Sequence, residues 1–445
     1  MMFSKILIAN RGEIAVRVIR ACREMGISTV AVFSEADREA LHVSLADESY
    51  CIGKSQSKDS YLNIQAIISA ALVSKAEAIH PGYGFLSENQ AFSQMCEDKG
   101  IVFIGPKPET IAKMGDKDMA RKTMQAAGVP VIPGCDLVES LAHAKEEAEK
   151  IGFPLLIKAR AGGGGRGIRL VQTADGLESN YNSATAEAQA AFGDGAVYME
   201  KYLNPVKHIE MQLLCDHHGN AVCLGERDCS TQRKNQKLIE ESPAVVLSPE
   251  VRKRMIDVAI LAGTATDYRG AGTLECLYDQ DGNFYFMEMN TRLQVEHPVT
   301  EMVAGIDLVK WQIRIAAGMK LDFSQEDIAC NGHSIECRIN AEDPHQDFKP
   351  LGGKIEVLHT PGGPGVRFDT AIYQGYTVPP FYDSMIGKLI VHAQTRDEAI
   401  RKMKSALCEL IIEGPVHNAN FQHDILSTEA FIDSTYTTDF LEAYL

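Results

Sequence analysis

Residues 5–33 read KILIANRGEIAVRVIRACREMGISTVAVF. The stretch opens on a short apolar strand, Lys5–Ala9. Residues Glu13–Met25 then follow a helical period, and Gly26 is a fitting stop. A second apolar strand, Ser28–Phe33, comes next. Working outward, Ala76–His80 and Ile101–Ile104 read as further strands, and Asn63–Leu72 and Asn89–Lys99 as helices. Such alternation predicts a parallel sheet with helices on both faces. We assign it to an N-terminal domain, residues 1–113. The first turn, Asn10-Arg11-Gly12-Glu13-Ile14, lacks G-x-G-x-x-G, and no G-x-x-x-x-G-K-[ST] occurs. Neither a dinucleotide fingerprint nor a P-loop is supported.

Beyond this domain, Gly128-Val129-Pro130-Val131-Ile132-Pro133-Gly134 interrupts the pattern, and residues 114–130 are read as a linker. A helix over Ser140–Ile151 and a strand over Leu155–Lys158 follow. After the run Ala161-Gly162-Gly163-Gly164-Gly165-Arg166-Gly167 come a strand Ile168–Val171, a helix near Ser183–Phe192 and a strand Val197–Lys201. Residues 131–203 thus form a small α+β module carrying a glycine loop. Residues 204–445 have a mixed texture, with a hairpin over Gly272–Asn290 and an amphipathic helix over Arg396–Leu410. A chain of 445 residues suits about three domains of roughly 150 residues each.

Charge narrows the function. With 44 Lys and Arg against 60 Asp and Glu, the net charge is −16. That excludes wrapping nucleic acid and disfavours an anionic membrane surface, while leaving room for a local basic pocket. No apolar run approaches the roughly 18 residues of a spanning helix. The 11 cysteines contain no C-x-x-C pair and read as reduced thiols in a cytosol. Cys229 is expected to be buried and inert.

Four segments carry candidate chemistry. Consecutive glycines flanked by Lys158, Arg166 and Arg169 suit a flap over phosphates, or simply a solvated hairpin turn. In the hairpin, a four-residue loop at Gln280–Asn283 would pair Asp279 with Phe284, Leu277 with Phe286, Glu275 with Glu288 and Thr273 with Asn290. Opposed carboxylates beside an amide oxygen would hold a hard cation such as Mg²⁺; otherwise they are a tolerated repulsion on an exposed face. The next segment, Asn290-Thr291-Arg292-Leu293-Gln294-Val295-Glu296-His297, offers an anion-binding Arg and a base in Glu296, or an ordinary ion pair. His80–Asn89 leaves a strand's carboxyl end, where open α/β sheets bind ligands, though turn chemistry alone accounts for its Pro and glycines.

Taken in order, Ile8–Ala15, His80–Asn89, Gly162–Arg169, Glu226–Ser230, Glu288–Pro298 and Tyr382-Asp383-Ser384-Met385-Ile386-Gly387-Lys388 resemble the biotin carboxylases, ATP-grasp subunits of bacterial acetyl-CoA carboxylase. The resemblance spans essentially the whole chain. It implies an ATP-grasp fold: an N-terminal parallel-sheet domain, a mobile glycine-loop lid and a C-terminal domain completing the site. It implies ATP-dependent carboxylation of biotin by bicarbonate through carboxyphosphate, as the first half-reaction of acetyl-CoA carboxylase and so of fatty acid synthesis.

By motif match, the resemblance assigns nucleotide contacts to Lys117, Lys158, Gly164, Gly165, Glu200, Lys201, Tyr202, Leu203, His208, Gln232 and Asn235, with Glu275 and Glu288. Glu275, Glu288 and Asn290 would bind Mg²⁺ or Mn²⁺. Lys237, Arg292, Gln294 and Val295 would hold bicarbonate, with Glu296 as base, and Tyr83 and Arg338 would contact biotin. Lys237, Arg292, Glu296 and Arg338 form the expected catalytic set. Two departures stand out: Asn235 replaces a usual His, and Leu351-Gly352 a usual Ser-Pro. No biotinyl motif occurs and the chain ends at Leu445, so a biotin carboxyl carrier protein and carboxyltransferase subunits are expected as separate partners. A homodimer is implied as well. A different ATP-grasp ligase would share the glycine flap and metal strand, although His80–Asn89, Arg292–Glu296 and Arg338 favour bicarbonate and biotin; retention of the three metal ligands, Glu296 and Arg338 speaks against a non-catalytic nucleotide-binding regulator.

Overall fold

The computed structural model describes residues 2–160 and 167–444. Its N-terminal sheet is five-stranded and parallel. The strand order is Glu48–Gly53, Ser28–Ser34, Lys5–Ile8, Ala78–His80, Val102–Phe103. Period-2 alternation sends Ile6 and Ile8 to one face, against Ile14, Val18 and Ile19 of helix Gly12–Glu24. Leu7 and Ala9 go to the other, with Ile67 and Ala71 of helix Ile64–Ser74 and Phe92 of helix Gln90–Asp98. Asn63 and Asn89 cap those two helices by accepting the N–H of Ala66 and Phe92. The edge strand Glu48–Gly53 escapes the sequence reading because its early residues are polar and partly exposed.

Residues 114–130 are not a free connector. They hold helix Lys117–Ala126, capped by Asp116, and bury Met124 and Val129 against Met211 and Leu274 of the large sheet. The next unit is a three-stranded antiparallel sheet with Leu155–Ala159 between Ile168–Val171 and Val197–Lys201. Ala144 and Ala148 of helix Leu141–Ile151, and Ala184 of helix Leu177–Phe192, cover Leu155, Ile157 and Met199. The latter helix starts earlier than expected, because a short 3₁₀ turn at Ala174–Gly176 leads directly into it. The strands on either side of the glycine run pair as a hairpin; Gly164 and Gly165 lie outside the described residues.

One antiparallel sheet of eight strands gathers most of the remaining chain. From one edge it runs Phe284–Asn290, Gly270–Asp279, Val206–Cys215, Ala221–Arg233, Gln236–Ser242, His333–Asn340, Met385–Ala393 and Val366–Thr370. Helix Pro249–Ala265 packs Met255 and Ala259 onto Met211 and Leu213. At the other end helix Arg396–Glu409 buries Ala399 and Met403 with Ile335 and Leu389. The opposite face of the first strands is polar, and the site is built there.

Candidate active site

The hairpin Gly270–Asp279 and Phe284–Asn290 sets the first charges. Asp279 accepts the N–H of Asp281 and Asn283 at 3.0 and 2.8 Å, which closes a loop one residue longer than the sequence suggests. Tyr278 therefore pairs with Phe284, and Leu277 with Tyr285; the expected Asp279–Phe284 and Leu277–Phe286 pairs do not form. A bulge leaving Met287 unpaired restores the register, so Glu275 faces Glu288 and Thr273 faces Asn290 as expected.

The neighbouring strand continues the polar row. Ile209, Met211 and Leu213 enter the core, so His208, Glu210 and Gln212 take the other face, opposite Leu277, Glu275 and Thr273. Arg227 pairs with Glu210 across the next strand. Fully buried, it donates to Glu210, to Gln212 at 2.6 Å, to Thr300 at 3.0 Å and to the side chain of Gln294. Gln294 in turn donates to Glu275 at 2.7 Å. The turn before helix His297–Ala304 is thereby fastened to the sheet.

Lys237 is the hub. Its Nζ bonds Glu210, Glu275 Oε1 at 3.1 Å and Glu296 Oε1 at 2.8 Å. Burial opposes its charge, but the surrounding carboxylates outweigh burial and hold its pKa well above the ordinary lysine value. Arg338 donates to Glu240 at 2.6 Å and to Glu296 Oε2 at 3.0 Å. Each oxygen of Glu296 thus faces its own cation. Burial raises its pKa, yet Lys237, Arg338 and Arg227 pull it well below the carboxylate range. Arg292 donates to Glu88 and to Asn290 Oδ1, both at 2.8 Å. His208 lies 2.8 Å from Glu275 and is steadied on its other nitrogen by Gln232 at 2.7 Å.

Lys117, Lys158, Glu200, Lys201, Tyr202, Leu203, His208, Gln232, Asn235, Lys237, Glu275, Glu288, Asn290, Arg292, Gln294, Val295, Glu296 and Arg338 all line one cavity of about 640 Å³. Lys158 pairs with Glu200 within it. Tyr83 lies instead in an adjoining cavity of about 560 Å³ with Arg11, Glu13 and Tyr382. Asn10, at the end of the central parallel strand, positions that turn by donating to Pro81 and Tyr83 carbonyls at 2.7 and 2.8 Å. The two cavities share Arg292, Val295, Arg338, Asp383 and Met385.

Residues 2–111 match the family described as "Biotin carboxylase, N-terminal domain". Residues 116–324 match "Carbamoyl-phosphate synthase L chain, ATP binding domain", and residues 336–443 match "Biotin carboxylase C-terminal domain". Biotin carboxylase 1 of Bacillus subtilis is 54% identical over 445 residues, covering 100% of this chain and 99% of its own. The chain belongs to the biotin carboxylase family. The crystal structure of the biotin carboxylase–beta-gamma-ATP complex from Campylobacter jejuni superposes with a TM-score of 0.95 at 52% identity, covering 99% of both chains. The biotin carboxylase domain dimer of the Hydrogenobacter thermophilus 2-oxoglutarate carboxylase, solved with MgADP, ADP and bicarbonate, gives 0.94 at 51% identity, covering 100% of this chain and 98% of its own. The fold is that of an ATP-grasp enzyme.

The donor set at the hairpin fits the family's divalent cation. Burial, then the charge of Glu275, push the Glu288 carboxyl up, as expected of a carboxylate facing another one. Glu275, Glu288 and Asn290 supply hard oxygens, which Mg²⁺ takes.

Sequence reasoning passed over Glu210 and Arg227. The signal was present: Ile209-Glu210-Met211-Gln212-Leu213 alternates, so its polar residues share a face. The quoted segment Glu226–Ser230 held Arg227, while attention went to Cys229. That thiol is buried, and burial followed by the charge of Glu210 pushes its pKa well up.

Proposed function

We propose that this chain uses ATP and bicarbonate to carboxylate biotin on a separate carrier protein, with the roles assigned above to its site residues. The observation that carries the reading is the junction of the two cavities. A nucleotide-sized cleft and a second hollow beside Tyr83 meet at Arg292, Val295 and Arg338, with Glu296 held between Lys237 and Arg338.

Lys117, Lys158, Lys201 and His208 contact the nucleotide, and Lys237 and Arg292 draw in bicarbonate. An anion arriving there competes for the cations on Glu296, raises its pKa and makes it a better base. Glu296 takes the bicarbonate proton, and the freed oxygen attacks the γ-phosphorus as the bond to ADP breaks. Glu275, Glu288 and Asn290 would hold the metal, which when bound offsets phosphate charge. Carboxyphosphate then splits into CO₂ and phosphate. The phosphate removes the N1′ proton of biotin, Arg338 steadies the enolate oxygen, and N1′ attacks CO₂. The glycine-loop module closing over the site would keep water from carboxyphosphate.

The relatives named biotin carboxylase support biotin as the acceptor, and we read the step as the first half-reaction of acetyl-CoA carboxylase. Under this reading the partners are a biotin carboxyl carrier protein, carboxyltransferase subunits and a second copy of the chain. We read the setting as cytoplasmic, a reading that the free cysteine thiols among the described residues support; no helix there is long and apolar enough to cross a membrane. The test is ADP release with MgATP in CO₂-depleted buffer. Release is expected to require bicarbonate and to rise with free biotin. Indifference to both would reject the substrate assignment.

A further inference from the structure

Two quoted motifs, Ile8–Ala15 and Tyr382–Lys388, help to wall the cavity beside Tyr83 but carry no assigned chemistry above, and they meet at one ammonium. Lys388 is wholly buried on strand Met385–Ala393, directly across from Arg338. Its Nζ donates to the carbonyl of Val295 at 2.6 Å. The same nitrogen lies 3.5 Å from Glu13 Oε1 and 5.9 Å from the centre of the Tyr83 ring. One cation therefore touches the large sheet, the first helix of the N-terminal sheet and the turn that carries the bicarbonate residues.

We propose that Lys388 is a positioning residue for the bicarbonate pocket: it pins the Val295 carbonyl, fixes the peptide leading into Glu296, and anchors that turn to helix Gly12–Glu24 through Glu13. The inference rests on the function proposed above, which places bicarbonate at Val295. Burying a lysine is unfavourable unless it is paired and hydrogen-bonded. Glu13 is the carboxyl nearest to Lys388, and its oxygens have no hydrogen-bond partner among the described residues. Lys388 thus links the N-terminal layer to the anion pocket without touching substrate.

The test is steady-state kinetics on wild type, Lys388→Met and Lys388→Arg, varying bicarbonate and ATP separately. Methionine keeps the reach and loses the donor. Its bicarbonate KM is expected to rise about tenfold, with the ATP KM within about twofold, because one buried hydrogen bond is lost at one subsite. Arginine, which keeps a donor, should restore part of that loss. The double variant Glu13→Gln/Lys388→Met removes the buried ionisable carboxyl along with the cation. It should regain thermal stability without regaining bicarbonate KM. An unchanged bicarbonate KM, or a common fall of kcat and both KM effects that follows Tm, would overturn the inference. Failure of both methionine variants to fold would make Lys388 purely structural and would overturn it too. A wild type whose ADP release ignores bicarbonate would instead reject the functional reading, and this inference with it.

Discussion

Glu296 carries the sharpest residue-scale expectation. Both its oxygens are engaged, by Lys237 and Arg338, and it is ionised before substrate arrives. Glu296→Gln should keep ATP affinity within about twofold yet slow bicarbonate-dependent turnover by roughly a hundredfold or more. Equilibrium nucleotide binding beside single-turnover ADP release separates the two effects. Glu13 gives a pH test. Burial raises its pKa from 4.5 to about 7, despite the opposing charge of Lys388. The folded chain therefore keeps a proton that the unfolded chain releases between those values. Stability falls as pH rises through that window and levels off above it. Relative to Glu13→Gln, wild type should lose about 3 kcal/mol between pH 4 and pH 8, read by denaturant titration. At this scale the sequence showed the residues that sit on a recognisable strand pair. Glu275 and Glu288 were visible because alternation across a hairpin is a local matter. Glu210 and Arg227 were not picked out, since their partners come from strands whose pairing no local pattern announces.

Among the elements, the short turns govern the register. Lys234 and Asn235 link strands Ala221–Arg233 and Gln236–Ser242 as a two-residue turn, with φ of 48° and 64°. Positive φ at both positions is what a type I′ hairpin needs, and asparagine tolerates it. That gives Asn235 a backbone reason as well as a place in the cavity wall. Asn235→Val should cost about 1–2 kcal/mol of stability, while Asn235→Gly stays near neutral, by the same titration. The hairpin proposed to hold the metal offers a second element-scale test. Glu288→Gln removes one of the two opposed carboxylates, and the Mg²⁺ concentration for half-maximal turnover should rise roughly tenfold or more. The parallel sheet was legible because its strands are apolar and joined by helices with clear stops. The bulge at Met287 was not, because it compensates a loop held by Asp279, and neither feature shows in hydrophobic pattern. Helix Lys117–Ala126 was read as linker because the Gly and Pro residues after it obscured its length.

For the molecule as a whole, the function lies in how the layers meet. The large sheet pairs strands far apart in the chain, such as Gln236–Ser242 with His333–Asn340. No sequence window contains that pairing, so residues 204–445 read as mixed texture apart from the Gly272–Asn290 hairpin and the Arg396–Leu410 helix. The assembled sheet brings the hairpin of Glu275 and Glu288, Lys237 and Arg338 to one face, and the N-terminal layer adds Tyr83 and Glu88. Of this arrangement, the resemblance of motifs carried the residue roles and the structure supplied the meeting of two cavities. The most direct test is transfer of labelled carbon from bicarbonate to free biotin by the purified chain. Label should enter biotin only with MgATP present, and Glu296→Gln should abolish the transfer. ATP turnover that depends on bicarbonate but leaves biotin unlabelled would mean that the cavity beside Tyr83 serves another acceptor.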